Sequence, residues 1–389
     1  MKNKHILFLI RSLESGGGAE RQLLYLANEL SNSNEVSIIT FYDNDFENSY
    51  IEQIQDELEC VFKFKILSLK KRGRYDFIAF LHSYIKTVNK ISPDYIYSFM
   101  NVASIISVLG KIFNKKPKLI FGIRASNMSL FNYGLLNYSF SMLEKYFSRF
   151  ADLVICNSYA GKKYLISKNY KCRNIHVIHN GINSDFFRSN IEERNEIRSE
   201  FNIPIKATII GIIARHDKMK GIEYFIQAAF LFLHSNPNVY FFIIGSGPKK
   251  YSKKLRALTK NSKFSKSFIW HEKSNDIRSY HALFDIFTSS SIYGEGFPNV
   301  LAESLLCENI CVATDVGDSS FLLKDVGFVV DPCNSKELCE AWSSIMDLSE
   351  SDREEISKKS RSKVLENFSI KAMTDRTIQS IDSLKLTKD

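Results

Sequence analysis

Short apolar runs recur along this 389-residue chain, and between them lie longer segments whose apolar positions return at helical spacing. A continuous apolar run bounded by turn residues marks a strand buried on both faces, as in a parallel sheet covered by helices. In the first half such runs fall at Ile6–Ile10, Val36–Phe41, Tyr95–Phe99, Leu119–Ile123, Leu153–Cys156 and Ile175–Ile178. The second half repeats the alternation at Thr208–Ala214, Val239–Gly245, Ser267–His271, Ile286–Ser289, Ile310–Ala313 and Gly327–Val330. The pattern predicts an α/β chain in two halves. A polar, charged stretch from Ser189 to Lys206 places the linker near residue 186, giving an N-terminal domain 1–185 and a C-terminal domain 186–368.

Composition fits two sizeable cores, since 44% of the residues are hydrophobic. Seven cysteines, with no CxxC pair, read as reduced thiols of a cytoplasmic protein rather than a disulfide framework or a zinc site. The apolar run after Lys2 and Lys4 is too short for the core of a signal peptide and suits a first strand. The longest uncharged stretch, Tyr95 to Gly110, contains Ser and Asn, and no transmembrane span is needed.

Candidate chemistry gathers in SIYGEGFPNVLAES, where Glu295 and Glu303 lie eight positions apart. Gly294 and Gly296 tolerate backbone geometries that strain other residues, and Pro298 suits the first position of a helix. The segment therefore predicts a tight loop entering a helix, with Glu295 on the loop and Glu303 about one and a half turns in. A helix N-terminus attracts phosphate, and two carboxylates beside it can hold the hydroxyls of a sugar and a ribose. Upstream, GIIARHDKMKG delivers Arg215 and Lys220 into the loop after a buried strand, as a diphosphate leaving group requires. A third piece, HILFLIRSLESGGGAERQLLYLANEL, is a strand, then Gly16, Gly17 and Gly18, then a helix, and the glycines permit close approach of a ligand.

Taken together, these motifs closely resemble the retaining family 4 glycosyltransferases over almost the whole chain. The most specific part is Glu295 to Glu303 combined with Arg215 and Lys220; GGGAE and VIHNGINSDFF, Val177 to Phe187, also match. The resemblance implies a GT-B fold of two Rossmann-like β/α/β domains facing a central cleft, with residues 369–386 as a helix crossing back to the first domain. It implies transfer of a hexose or N-acetylhexosamine from a nucleotide diphosphate sugar, UDP first, with no cofactor and no metal. Arg215 and Lys220 would stabilise the departing diphosphate with the Gly16–Gly18 loop. Glu295 would contact the donor sugar and Glu303 the ribose, while the backbone of Gly296, Phe297, Pro298, Asn299 and Val300 meets the phosphates. Gly245, in a Gly-Ser-Gly-Pro turn that lacks a dinucleotide fingerprint's third glycine, would lie near the nucleotide.

The acceptor side departs from the family. Many relatives carry a histidine where YIYSFMNVAS here presents Ser98, Phe99, Met100 and Asn101. Ser98, Asn101 and Arg124 are the acceptor-binding candidates, Arg124 for a phosphate or sugar, with a surface ion pair as its other reading. His179 and Asn180 line the cleft or cap a turn. Asp43-Asn44-Asp45 sits in a polar loop and is not read as a metal site. Likeness to bacterial polysaccharide, O-antigen and capsule enzymes suggests a polyprenyl-diphosphate-linked glycan as acceptor.

Charge supports a membrane more than a nucleic acid. Residues 1–185 hold 24 Lys and Arg against 16 Asp and Glu, so most of the net +9 lies there. The excess gathers at Lys63, Lys65, Lys70, Lys71, Arg72 and Arg74, and at Lys111, Lys115, Lys116 and Lys118. These runs are either solvated loops or, with the aromatic FNYGLLNYSFSMLEKYF, a surface for anionic lipid on the inner face of the cell membrane. No nucleic-acid-binding motif accompanies them. Two other functions remain open at this level: a glycoside hydrolase using the paired carboxylates, which would have no use for Arg215 and Lys220, and a non-catalytic membrane scaffold.

Overall fold

The computed structural model describes residues 1–13, 17–42, 50–73, 75–124, 135–272 and 277–386. The chain forms two compact units, Met1–Gly181 with Ser369–Asp389, and Ile182–Phe368. In unit 1 the strands are β1 (His5–Ile10), β2 (Glu35–Thr40), β3 (Lys65–Ser68), β4 (Tyr95–Phe99), β5 (Lys118–Ile123), β6 (Leu153–Cys156) and β7 (Ile175–Val177). They pair in parallel in the order β3-β2-β1-β4-β5-β6-β7. Alternation along β1 sends Ile6, Phe8 and Ile10 to one core and Leu7 and Leu9 to the other. The helices Gly18–Ser31 and Ile370–Leu386 cover the first face, and Phe77–Ile91 and Asn101–Phe113 the second.

The last helix is part of unit 1. Met373, Ile381 and Leu384 are buried in its core, and the Met1 ammonium lies 2.7 Å from the Asp382 carboxylate. The side-chain amide of Gln22 donates to the Gly181 carbonyl at 2.8 Å and accepts from the Gly181 N–H at 2.7 Å. Glycine is required there, because a Cβ at 181 would stand 2.7 Å from the Ile370 Cα.

Unit 2 contains β8 (Thr208–Ile213), β9 (Val239–Ile244), β10 (Phe268–His271), β11 (Ile286–Ser289), β12 (Ile310–Thr314) and β13 (Gly327–Val330). These also pair in parallel, in the order β10-β9-β8-β11-β12-β13. Trp342 is fully buried against Phe225, Phe232 and Phe241, and its indole N–H donates to Thr288 Oγ1 at 3.0 Å. In each sheet the order reverses once, between β1 and β4 and between β8 and β11. Such switch points leave loops diverging at the strands' carboxyl ends, where ligands bind in open α/β sheets.

Twelve strands coincide, within a residue at each end, with the runs expected from the sequence. The thirteenth, β3, lies inside the basic run whose two sequence readings, solvated loop or lipid surface, include no strand. It is a four-residue edge strand with Lys65 and Leu67 exposed, so its pattern is alternating and short rather than continuous. Lysine on such an edge discourages pairing with another chain. The units part after Gly181, ahead of residue 186, because Ile182 and Phe187 are buried in the core of unit 2.

Candidate functional site

The loop after β8 begins with Arg215, exposed to solvent, and runs through a short 3-10 turn, Lys218–Lys220. Asp217 caps that turn, its Oδ1 accepting from the Met219 N–H at 2.9 Å, and Gly221 leaves it at φ +59°. A Cβ at 221 would stand 2.1 Å from the Ser290 carbonyl oxygen, so only glycine lets the two loops meet. Ser290 Oγ in turn donates to the Lys220 carbonyl at 2.9 Å.

Across the switch point, the loop after β11 turns at Gly294 (φ +81°) and presents Glu295. The Lys220 ammonium donates to Glu295 Oε1, and the Ser291 hydroxyl donates to the same oxygen at 2.6 Å. Burial alone would raise the Glu295 pKa, yet Lys220, Ser291 and Arg215 outweigh it and hold the carboxylate below its ordinary value. The loop is braced from below: Gly317 (φ +66°) packs on the Glu295 backbone, and the Asp318 N–H donates to the Gly296 carbonyl at 3.0 Å.

Helix Asn299–Leu306 follows, starting one residue later than expected, with Pro298 at its cap and no side-chain cap hydrogen bond. Gly296, Phe297 and Pro298 are buried, and Asn299 and Val300 are partly exposed at the helix start. Glu303 lies on the inner face of this helix at 0% exposure, its Oε2 3.6 Å from Nε2 of the equally buried His281. The third loop of the site, after β9, approaches the first so closely that a Cβ at Gly245 would fall 1.9 Å from the Ala214 carbonyl oxygen. The His216 N–H donates to the Ser246 carbonyl at 2.9 Å, and its ring lies 2.8 Å from the Ser252 hydroxyl. Burial lowers the His216 pKa and keeps the ring neutral at physiological pH.

Unit 2 thus brings Arg215, Lys220, Gly245, Glu295 and the Gly296–Val300 backbone to the carboxyl ends of β8, β9 and β11. Sequence reasoning missed Ser291, Asp217, Gly317 and His281. Ser, Asp and Gly in loops are too common to single out, and His281 sits on a short helix with no motif around it.

In unit 1, Gly17 and Gly18 open the Gly18–Ser31 helix, with the Gly17 N–H donating to Glu20 Oε2 at 3.0 Å. Gly16, Arg74, Asp43-Asn44-Asp45 and residues 125–134 of the two aromatic and FGIRASN stretches lie outside the described residues. Arg124, just past β5, is held by a ring and hydrogen bonds, with no ion pair among the described residues. Its guanidinium lies 4.4 Å over the Phe99 ring and donates to Asn180 Oδ1 at 3.0 Å and to the Tyr97 hydroxyl at 3.3 Å. Next to it, Met100 adopts φ +74° and is 45% exposed. Ser98 is at 0% exposure, its hydroxyl engaged with Ser104 Oγ and the Ile120 carbonyl, which leaves it no surface for a ligand. Asn101 is partly buried, and its Oδ1 accepts from the Val102 N–H at 2.8 Å. His179 is buried against the Tyr159 ring with centroids 5.2 Å apart.

Two family models match this chain: Glycosyltransferase Family 4 over residues 16–186 and Glycosyl transferases group 1 over residues 193–363. The chain is a family 4 glycosyltransferase. A Campylobacter jejuni N-acetylgalactosamine-N,N'-diacetylbacillosaminyl-diphospho-undecaprenol 4-alpha-N-acetylgalactosaminyltransferase is 26% identical over 79% of this chain and 79% of its own. The Escherichia coli O-antigen biosynthesis glycosyltransferase WclY is 25% identical over 78% of this chain and 80% of its own. The putative teichuronic acid biosynthesis glycosyltransferase TuaC of Bacillus subtilis is 28% identical over 41% of this chain, which spans only 39% of that protein. Among solved structures, Anabaena Alr3699/HepE in complex with UDP-glucose superposes with a TM-score of 0.82 at 20% identity, covering 98% of this chain and all of that one. This family 4 member has the GT-B fold, two Rossmann-like domains with sheets of seven and six strands. Among its described residues no helix is long and apolar enough to cross a membrane.

Proposed function

We propose that this enzyme moves a hexose or N-acetylhexosamine from a UDP-sugar to a hydroxyl of a polyprenyl-diphosphate-linked glycan, with retention at the anomeric carbon, in bacterial surface-polysaccharide assembly. The observation that carries this reading is the Lys220–Glu295 pair at the β8/β11 switch point, with Arg215 on the same loop as Lys220 and a helix N-terminus just after Glu295. Bond cleavage at the anomeric carbon leaves growing negative charge on the diphosphate. Arg215 and Lys220 supply fixed positive charge there, and the start of helix Asn299–Leu306 supplies backbone N–H dipoles. Glu295, kept ionised by its neighbours, accepts hydrogen bonds from the donor sugar's hydroxyls. Retention follows if the acceptor hydroxyl attacks from the face the diphosphate leaves, a leaving-phosphate oxygen taking its proton; no protein base is then needed.

Glu303 is the ribose partner in this scheme, and its carboxylate, fully covered beside His281, must be uncovered by the entering nucleotide. A hydrolase would have no use for the two cations, Arg215 and Lys220, on the loop that meets Glu295. Arg124, stacked and hydrogen-bonded in unit 1, offers a planar cation for an acceptor phosphate or sugar, and Asn101 lies on the following helix from β4. The relatives' undecaprenol-linked and O-antigen substrates support the lipid-linked acceptor and a peripheral position at the membrane's inner face.

Calorimetry with a panel of nucleotide sugars identifies the donor, and NMR of the product's anomeric proton from a lipid-linked acceptor mix reads the stereochemistry. Binding of a UDP-sugar with an axial–axial match between donor and product supports the proposal. Inverted product, or no nucleotide-sugar binding at all, overturns it.

A further inference from the structure

Helix Leu135–Phe147 in unit 1 carries its polarity inside out. Its one carboxylate, Glu144, is turned inward at 5% exposure, with Oε2 accepting from the Tyr170 hydroxyl at 3.1 Å. Phe147, one turn on, packs against the buried core of that face. Apart from Ser139, the exposed side chains of the helix are apolar: Tyr138 (37% exposed), Met142 (49%), Leu143 (44%) and Tyr146 (52%), followed by Phe150 (42%) in the next turn. Tyr138, Met142, Tyr146 and Phe150 recur every fourth position, so they lie along one stripe of the helix and its extension. Surface helices normally do the reverse, burying the apolar stripe and hydrating the acid.

Along the stripe itself the outward charge is of one sign. From Tyr138 to Phe150 the only acidic residue is the inward Glu144, whereas Lys145 and Arg149 flank the apolar side chains, the Arg149 guanidinium 3.8 Å above the Tyr146 ring. The adjacent helix Asn101–Phe113, which packs against this one, ends in exposed Ile112 and Phe113, followed by Lys115 and Lys116. Lys116 is itself 3.6 Å from the Asp94 carboxylate, so the cations that count are Lys145, Arg149 and Lys115, and aromatic and aliphatic side chains fringed by these match the headgroup boundary of an anionic bilayer. The other basic run is weaker on this count. Lys71 is bonded to Asp76 at 2.9 Å, and Asp76 also accepts from the Arg72 N–H, so the acid cancels part of that run's charge.

We infer that the outward face of helix Leu135–Phe147 is where the protein lies on anionic membrane, Tyr138, Met142, Leu143, Tyr146 and Phe150 entering the interface and Lys145 and Arg149 meeting lipid phosphates. The inference deepens the proposed lipid-linked acceptor by naming the surface that brings the enzyme to it. A second copy of the chain is the competing occupant, but two such faces would set their cations against each other.

The test is flotation of the full-length protein with phosphatidylcholine vesicles containing or lacking phosphatidylglycerol, at low and high salt, with no donor or acceptor present. The wild type should float with the anionic vesicles and less so at high salt. A Met142→Ser, Leu143→Ser, Tyr146→Ser triple variant should lose at least about tenfold in partitioning, since three apolar insertions are removed. Unchanged UDP affinity and melting temperature show that the variant is folded. In a Tyr146→Trp variant, emission should shift to the blue on adding anionic vesicles. The inference is overturned if the wild type ignores anionic vesicles or if the triple variant floats as well as the wild type. Loss on changing Lys70, Lys71 and Arg72 alone, or a wild-type dimer that the triple variant dissolves, overturns it equally. None of these readouts involves sugar transfer, so its failure is separable from failure of the proposed reaction.

Discussion

Lys220 and Glu295, 75 positions apart in the chain, form an ion pair in which both side chains are largely buried, at 17% and 11% exposure. The pair fixes the electrostatics of the site before any substrate arrives. Lys220 gives Glu295 a reason to stay charged in a buried place, and Glu295 holds the ammonium at the switch point where a diphosphate would need it.

Removing either cation should slow turnover by about 10²–10³, the scale for loss of one preorganised charge-stabilising group. The two variants should separate on stability. Lys220→Ala strands a buried carboxylate and should cost about 3 kcal/mol, whereas the exposed Arg215→Ala should stay within about 0.5 kcal/mol of the wild type. Steady-state kinetics and urea unfolding measure both effects, and normal turnover in both variants would remove Arg215 and Lys220 from the chemistry.

The two glutamates should divide their effects. Glu303→Gln is expected to weaken UDP binding by roughly 1–2 kcal/mol, and because Glu303 lies beside buried His281 it should also lower the melting temperature. Glu295→Gln should act on kcat with little change in UDP affinity. Titration calorimetry with UDP decides; equal losses of affinity in the two variants would refute the division.

Glu144 makes stability depend on pH in an unusual direction. Burial, against weaker opposition from hydrogen bonds to Tyr170 and Ser104, pushes its pKa from an ordinary 4.5 up to about 7. The folded state therefore holds a proton that the unfolded state releases, so this group's stabilisation is full below pH 4.5 and declines as pH rises to about 7. Glu144→Gln, which keeps a neutral hydrogen-bonding group, should raise stability at pH 8 by about 1–3 kcal/mol and change little at pH 4. Urea unfolding at the two pH values checks this; equal effects at both would show that Glu144 does not titrate in this way.

Arg124 should matter through its shape as well as its charge. Arg124→Lys retains the cation but loses the stacking on Phe99 and the bonds to Asn180 and Tyr97, so the acceptor KM should rise about tenfold with the donor KM unchanged. Asn180→Ala, which frees one arm of the guanidinium, should move the same parameter by less. A rise in donor KM instead would assign Arg124 to the nucleotide.

Much of this was legible in the chain because buried parallel strands are continuous apolar runs, and twelve announce themselves that way. β3 did not, since an edge strand of alternating Lys, Ile, Leu and Ser is also what a basic loop looks like. Glycines at 245 and 294 marked loops of the site, and Arg215, Lys220 and Glu295 duly fall at one switch point. The depth of Glu303 was not legible: position on a helix gives a face, but which face is covered depends on His281 and the neighbouring core. Likewise Ser98 looked available at a strand end, whereas β4's burial on both faces encloses it. The aromatic segment FNYGLLNYSFSMLEKYF reads from the sequence as a surface for anionic lipid, but which of its side chains face out was hidden until the burial of Glu144 showed which side faces in.

Unit 1 is finished by the last helix, whose Met373, Ile381 and Leu384 close the core begun by β1 and helix Gly18–Ser31. During synthesis this means that β1 and helix Gly18–Ser31 must wait, their apolar face open, until residues 370–386 leave the ribosome. Unit 2, continuous from Ile182 to Phe368, has all its parts sooner. The order of completion thus inverts the order of translation, and a message truncated shortly before the codon for Ile370 would yield a sound second unit behind a first that lacks its final wall.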